Sequence, residues 1–475
     1  MASNVPGLDA KIQKVVEAAI AAEMSDFGYY GTCADGFDGY SRATEESPIT
    51  DSIRVTYPEG HVYAFGNRSD HLEPNFSGAY AHVTDLYSKW DEEIKQNFER
   101  FDDLPTPEGF DFSIERLGVL ATALDAGGAY LDGSGSDART SLGNADLAGY
   151  VDAIGSDLSG FRGDAIEALN GSYLSRTSTV IAGQQVLMVA LGIVVTGERE
   201  VWIRTREDLL EIADSAEAAF LDYAGGGGGG SLKTTFLVLG AIATAATAFT
   251  GAGMIVTAAA LNAAGTFLPE TPPEPELEFA GGSVSEVHGH LLMALSDQCR
   301  VIADVERAFA DCADAAVASS VANPDYHDFA TPGDPVPFLQ AGEDAEYFGP
   351  GESLAVHGPE LREAAGKVEA VAQVLQHVCH DLPTLSSWSW DRYHVVGYGR
   401  YGHHGETQAL AQHLEGLLQG SATRMNEVAE KMVLVSYDFE ATEQQIADEL
   451  RQRLAEVPDP TPNQDVEYGH PADAG

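Results

Sequence analysis

Between Thr234 and Leu268 the chain reads TTFLVLGAIATAATAFTGAGMIVTAAALNAAGTFL, without one ionisable side chain, in a protein of 475 residues that carries 74 Asp and Glu against 26 Lys and Arg. Such a stretch must leave water, and that requirement limits every fold open to the rest of the chain. As one helix it would run roughly 52 Å at ~1.5 Å per residue, well beyond a hydrocarbon core of about 30 Å, so a break is expected. Gly251 and Gly253, either side of Ala252, are the natural place for it and leave two arms of about 15 to 17 residues. Two fates are open to the resulting hairpin. It can be a buried helical hairpin in a bundle, or a membrane hairpin in which Leu237, Leu239 and Ile255 face lipid. Ala, Thr and Gly outnumber Leu, Ile, Val and Phe, so the stretch is less apolar than a constitutive transmembrane helix.

The boundaries of the stretch set it apart. The glycine run Gly225 to Gly230 precedes it and PETPPEPELE (Pro269 to Glu278) follows. The glycines lead into Ser231-Leu232-Lys233-Thr234, which departs from a phosphate-binding loop because Leu232 stands where glycine is needed and a helix pattern, not a strand, comes before. A flexible hinge is the expectation. The formal net charge of −48 repels phosphate backbones, which argues against nucleic acid as a partner. Cys33, Cys299, Cys312 and Cys379 are too scattered for a disulfide framework or zinc spacing and read as free thiols. The first residues mix charged and apolar side chains with no continuous apolar core, so no Sec signal is expected and export would take another route.

Helical periodicity dominates elsewhere. Tyr80, Val83, Tyr87, Trp90, Ile94 and Phe101 form one seam, ended by Pro105 and Pro107, and Leu147, Val151, Ile154 and Leu158 form a second. The nearly uncharged run Val180 to Thr196 contains Gln184 and Gln185, two amides that are costly in lipid, and so reads as core. Trp202, Leu209, Ile212, Ala216 and Phe220 continue it on one face. A heptad seam runs from Val284 to Cys312 with His288 packed on it. Leu361 to Val378 form another, and the longest runs through Leu410, Leu414, Leu417, Ser421, Val428, Met432, Val435, Phe439 and on to Leu450. Alternation at Ile53, Val55 and Tyr57, a Pro58-Glu59-Gly60 turn, and Val62 and Ala64 predict a small β-hairpin. The expected class is all-α, built of long antiparallel helical hairpins like coiled-coil bundles around a central apolar hairpin. The expected segments are residues 1–74 as an extension with the small β-hairpin, 75–224 as a helical hairpin, 225–282 as hinge, apolar hairpin and linker, 283–322 as a heptad helix, 323–352 as a linker, 353–456 as a second hairpin and 457–475 as a disordered tail.

Two stretches resemble a known family. LSGFRGDAIEALNGSYL (Leu158 to Leu174) is similar to the helix-turn-helix of the WXG family of type VII (ESX) secretion substrates, with Phe161 in place of the tryptophan and Gly163 as the turn glycine. HGPELREAAGKVEAV (His357 to Val371) resembles the EspC-like branch. That resemblance implies a bipartite export signal on the last helix, and FEATE supplies it as Phe439 and Glu443, whereas Tyr437 has Ala441 at the fourth position and does not fit. It further implies a non-enzymatic protein, secreted or at the cell surface, whose partner is the secretion machinery or a helical co-substrate. The alternative is a membrane-active protein, since the hairpin also resembles that of α-helical pore-forming toxins.

The loop between the last two helices carries the densest group of possible site residues. His377, Cys379, His380 and Asp381, with His394, His403, His404 and Glu406, gather possible ligands without any standard zinc spacing, so neither metal nor cofactor is expected. Trp388, Trp390, Tyr393 and Tyr398, with Tyr401 beside them, form the densest aromatic group, as a cap on the hairpin end or as a partner-binding patch. No nucleophile elbow or H-E-x-x-H occurs.

Overall fold

The structure, a computed structural model, describes residues 3–34, 37–44, 47–56, 60–65, 81–126, 144–158, 176–226, 232–251, 258–268, 271–272, 277–279, 281–329, 358–394 and 396–456. Its class is all-α. Two compact units divide it and cut across the linear segmentation: one combines residues 1–148, 176–331 and 374–421, the other 149–175, 332–373 and 422–475.

The first unit is organised by a helix other than the one the charge-free stretch suggests. Helix α5 (Thr177–Ala224) packs against α1 (Leu8–Asp26), α3 (Asp111–Ala123), α6 (Gly240–Gly251), α7 (Ala258–Gly265) and α8 (Val284–Ala322). Every residue from Val180 to Glu198 is buried, so this run, long and apolar enough to cross a membrane, is enclosed by protein throughout. Branched side chains fill the layer and the amides find partners: Gln184 Nε2 donates to Ser421 Oγ (2.7 Å) and the His327 carbonyl (2.9 Å), and Gln185 Nε2 to the Ala121 carbonyl (3.0 Å). Glycine inside a helix costs roughly 1 kcal/mol against alanine, yet α5 carries Gly183, Gly192 and Gly197 in its buried half. A Cβ there would overlap the Tyr326 backbone, the Phe249 ring and the Phe309 ring respectively, so these glycines are notches for three neighbours.

The apolar stretch covers α5. Ala241, Ile242, Ala245 and Phe249 of α6 and Ala260 and Ala264 of α7 are buried. The expected break is present, since α6 ends at Gly251, but the arms are shorter than expected, at 12 and 8 residues. Leu239, which would face lipid in the membrane alternative, is buried in protein, because the turn Leu237–Leu239 is drawn inward; Leu237 stays 38% exposed. The pull comes from Asp208 of α5, whose carboxylate accepts from the Leu237 amide (2.7 Å), the Val238 amide (3.1 Å) and Gln298 Nε2 (3.1 Å). Burial pushes its pKa up to about 7 against those three hydrogen bonds. The ends of the stretch meet in a short antiparallel ladder, β5 (Leu232–Thr234) with β6 (Leu277–Phe279), where the sequence suggests only hinge and linker. Gly253 and Ile255 lie outside the described residues, as do Gly227 to Gly230.

Helix α8 follows its heptad pattern, with Leu291, Leu295, Ile302, Val305, Phe309 and Cys312 buried. Its start is capped from both directions: Ser283 Oγ accepts from the Glu286 amide (3.2 Å), while Glu286 Oε2 accepts from the amide of Gly282, the residue before the cap (2.6 Å). His288 packs edge-on to Trp90 of α2 (Ala81–Phe98) at 5.1 Å and shares a hydrogen bond with Asn97 (3.1 Å). Near the N-terminus four strands, β1 (Tyr30–Ala34), β2 (Phe37–Thr44), β3 (Ser47–Thr56) and β4 (Val62–Phe65), pair antiparallel in sequence order. The predicted hairpin is the β3–β4 pair, in which Val55 faces Val62.

The second unit takes residues from α4 (Ala145–Asp157), α9 (Gly358–His380) and α10 (His404–Glu456). Leu361, Ala365, Val368 and Val371 are buried as their seam predicts, and Lys367 pairs with Asp157. Helix α10 matches its predicted extent. In the part of α10 that belongs to the first unit, Leu418 is buried in the place expected of Leu417. Phe161 and Gly163 lie outside the described residues, and so do the side chains of Phe439 and Glu443, whose backbone is helical.

Candidate functional site

Four ionisable side chains from distant parts of the chain meet inside the first unit. Glu198 comes from α5, Glu306 from α8, and Arg392 and His403 from the segment between α9 and α10; all are at most 1% exposed. Arg392 Nη1 donates to Glu306 Oε2 (3.1 Å) and to the Val396 carbonyl, while Nη2 donates to Glu306 Oε1 and lies 3.4 Å from Glu198 Oε1. Its guanidinium also stacks over the Trp202 ring at 4.6 Å, and Trp202 Nε1 donates to Glu198 Oε1 (2.8 Å). The Tyr398 amide donates to Glu306 Oε2 (2.7 Å).

The loop can approach this closely because of its glycines. Gly397 and Gly402 adopt φ of 79° and 52°, and a Cβ at either would overlap the Glu306 carboxylate or the Arg392 guanidinium. His403 is walled by Trp390, edge-on at 4.8 Å, and by Phe309 at 5.6 Å. Burial, then the Arg392 charge, push its pKa down to about 3, so the imidazole is neutral. Burial and then the Glu306 carboxylate raise the pKa of Glu198. A general acid or base must lie within hydrogen-bond reach of its substrate, and these sealed groups have no solvent-facing side in this packing.

Among the described residues the possible ligands of this loop are not gathered at one point, in keeping with the absence of zinc spacing in the sequence. His377 and His380 sit at the exposed end of α9 beside Asp381, at 3.3 and 3.1 Å, and Asp381 pairs with Arg116. His404 Nε2 bonds the Leu385 carbonyl (2.9 Å). His403 is brought instead to Glu198 and Glu306, which sequence reasoning passed over. The signal available for Glu198 was its place directly at the end of the uncharged run.

The aromatic group divides. Trp390 is 1% exposed and packs on Phe110 at 5.3 Å, so it anchors the loop and is withdrawn from the partner-binding set. Trp388, two residues earlier on the one-turn helix Ser387–Ser389, is 87% exposed, and Tyr393 is 79% exposed. Tyr398 is 39% exposed, with the Arg307 guanidinium 5.5 Å from its ring centre.

No family model, curated protein or solved structure matches this chain.

Proposed function

We propose that this chain is a non-enzymatic helical interaction protein, exported by or associated with a type VII secretion system, that takes its protein partner on the loop carrying Trp388 and Tyr393. The observation that carries the reading is the pairing of two nearly fully exposed aromatics with a base that is locked. Ser386 Oγ caps the turn by accepting from the Trp388 amide (3.3 Å), Ser389 Oγ donates to the Gly109 carbonyl (3.0 Å), and Arg400 holds Asp391 with two bonds of 2.7 and 3.1 Å. Exposed Trp and Tyr on a prearranged support are the usual anchors of protein interfaces, because little ordering entropy remains to be lost on binding. The secretion assignment rests on the stretches quoted from the sequence, with Phe439 and Glu443 as the export signal.

A second reading, a membrane-active protein, is supported by the apolar helices, of which α5 has the length and composition to cross a bilayer. It requires the α6–α7 layer to leave α5.

The test is export from a host that carries the secretion machinery. Wild-type protein should reach the medium, and Glu443→Ala and the double variant Trp388→Ala/Tyr393→Ala should each fall at least about tenfold, since one interface anchor is worth roughly 2 kcal/mol or more. Circular dichroism of the purified variants must first show unchanged helicity. Undiminished export of the folded double variant would remove the loop from this account, and undiminished export of Glu443→Ala would remove the signal.

A further inference from the structure

We propose that Glu198, His403 and Glu306 bind a divalent transition-metal ion, a structural site that pins the α9–α10 segment to α5 and α8. One nitrogen and two carboxylate oxygens, one atom from each residue, lie within 4.8 Å of one another, and all three residues are buried. Glu198 Oε2 and His403 Nδ1 are 3.4 Å apart, and neither atom makes a hydrogen bond of ordinary geometry. That separation is long for a direct hydrogen bond, which wants about 2.7–3.0 Å. It suits a shared ion, because two ligands about 2.0–2.1 Å from a tetrahedral centre stand about 3.3 Å from each other.

The surroundings orient the two free lone pairs. Glu198 Oε1 is engaged by Trp202 Nε1 and Arg392, and this fixes the carboxylate with Oε2 toward His403. Glu306 already accepts from Arg392 and the Tyr398 amide, but a carboxylate oxygen has a second lone pair, so it can serve as the third ligand. The donor set, imidazole with carboxylates, suits Zn²⁺, Mn²⁺ or Fe²⁺ better than Ca²⁺ or Mg²⁺, which prefer oxygen alone. Since the site is enclosed, the ion would enter as the chain folds.

The full-length chain is therefore unfolded in chelator, refolded with or without Zn²⁺, desalted and analysed for metal. Wild type and the surface control His377→Ala should each retain about one zinc per chain and melt higher than the zinc-free protein. Glu198→Gln, nearly the same shape without the charge, should retain less than about a tenth of that zinc. Co²⁺ gives a readout on the unaltered chain, a visible absorption band of a low-coordinate nitrogen-oxygen site, whether or not the variant folds. No retained zinc and no cobalt band in the wild type, or zinc retained equally by folded Glu198→Gln, would overturn the site.

Discussion

Arg392→Ala, in chelator-treated protein, should lower stability by about 3–5 kcal/mol, the cost of leaving a buried ion pair half-deleted. The change strips Glu306 of a two-pronged partner, removes the donor beside Glu198 Oε1, and bares the Trp202 face and the Val396 carbonyl. Urea denaturation reads the loss as a drop in midpoint at constant slope. Adding Glu306→Gln should give part of it back, with a coupling of roughly 0.5–3 kcal/mol between the two sites, because the second change removes the carboxylate that lost its partner. A loss within about 1 kcal/mol would mean that the carboxylates do not depend on this arginine.

The second large effect is expected at Gly192. Valine there would drive its side chain into the space of the Phe249 ring, which is fully buried. Expelling a buried phenylalanine or straining the helix around it should cost about 3 kcal/mol or more. The variant also separates the two readings of the apolar layer. If the layer becomes membrane-active when released, Gly192→Val should float with neutral liposomes more than the wild type does; if the layer is core only, the variant should lose stability and stay with the soluble fraction. A Gly192→Val protein as stable as the wild type would contradict the docking of Phe249 in the notch.

These two sites show where a sequence speaks and where it is silent. The seams of α8 and α10 and the β3–β4 hairpin were legible because each depends on neighbours within a few residues. The organising helix was harder to recognise. A stretch without charge draws attention to Thr234–Leu268, yet its small Ala, Gly and Thr side chains make a thin covering layer, while the branched run from Val180 to Val195 fills the centre. Glu198 and Glu306 were illegible as a pair, since each lies among other charged residues and only the fold brings them to Arg392. Trp388 and Trp390 illustrate the finest scale. Two residues apart on one turn, they end 87% and 1% exposed, and which one turns inward is decided by Phe110 and His403 from elsewhere in the unit.

The buried ionic group also holds the aromatic loop from beneath, through Arg392 and the Tyr398 amide, and hydrogen exchange of the native wild-type chain tests this most directly. The Tyr398 amide donates to Glu306 and the Arg392 amide to the Arg400 carbonyl (3.2 Å), so both sit in bonds that only opening of the loop can break. The account predicts that these two amides exchange on the timescale of the α5 core, far slower than an open loop, because their release requires the whole group to separate. Exchange at both within seconds, while α5 remains protected, would show a loose loop and contradict the claim.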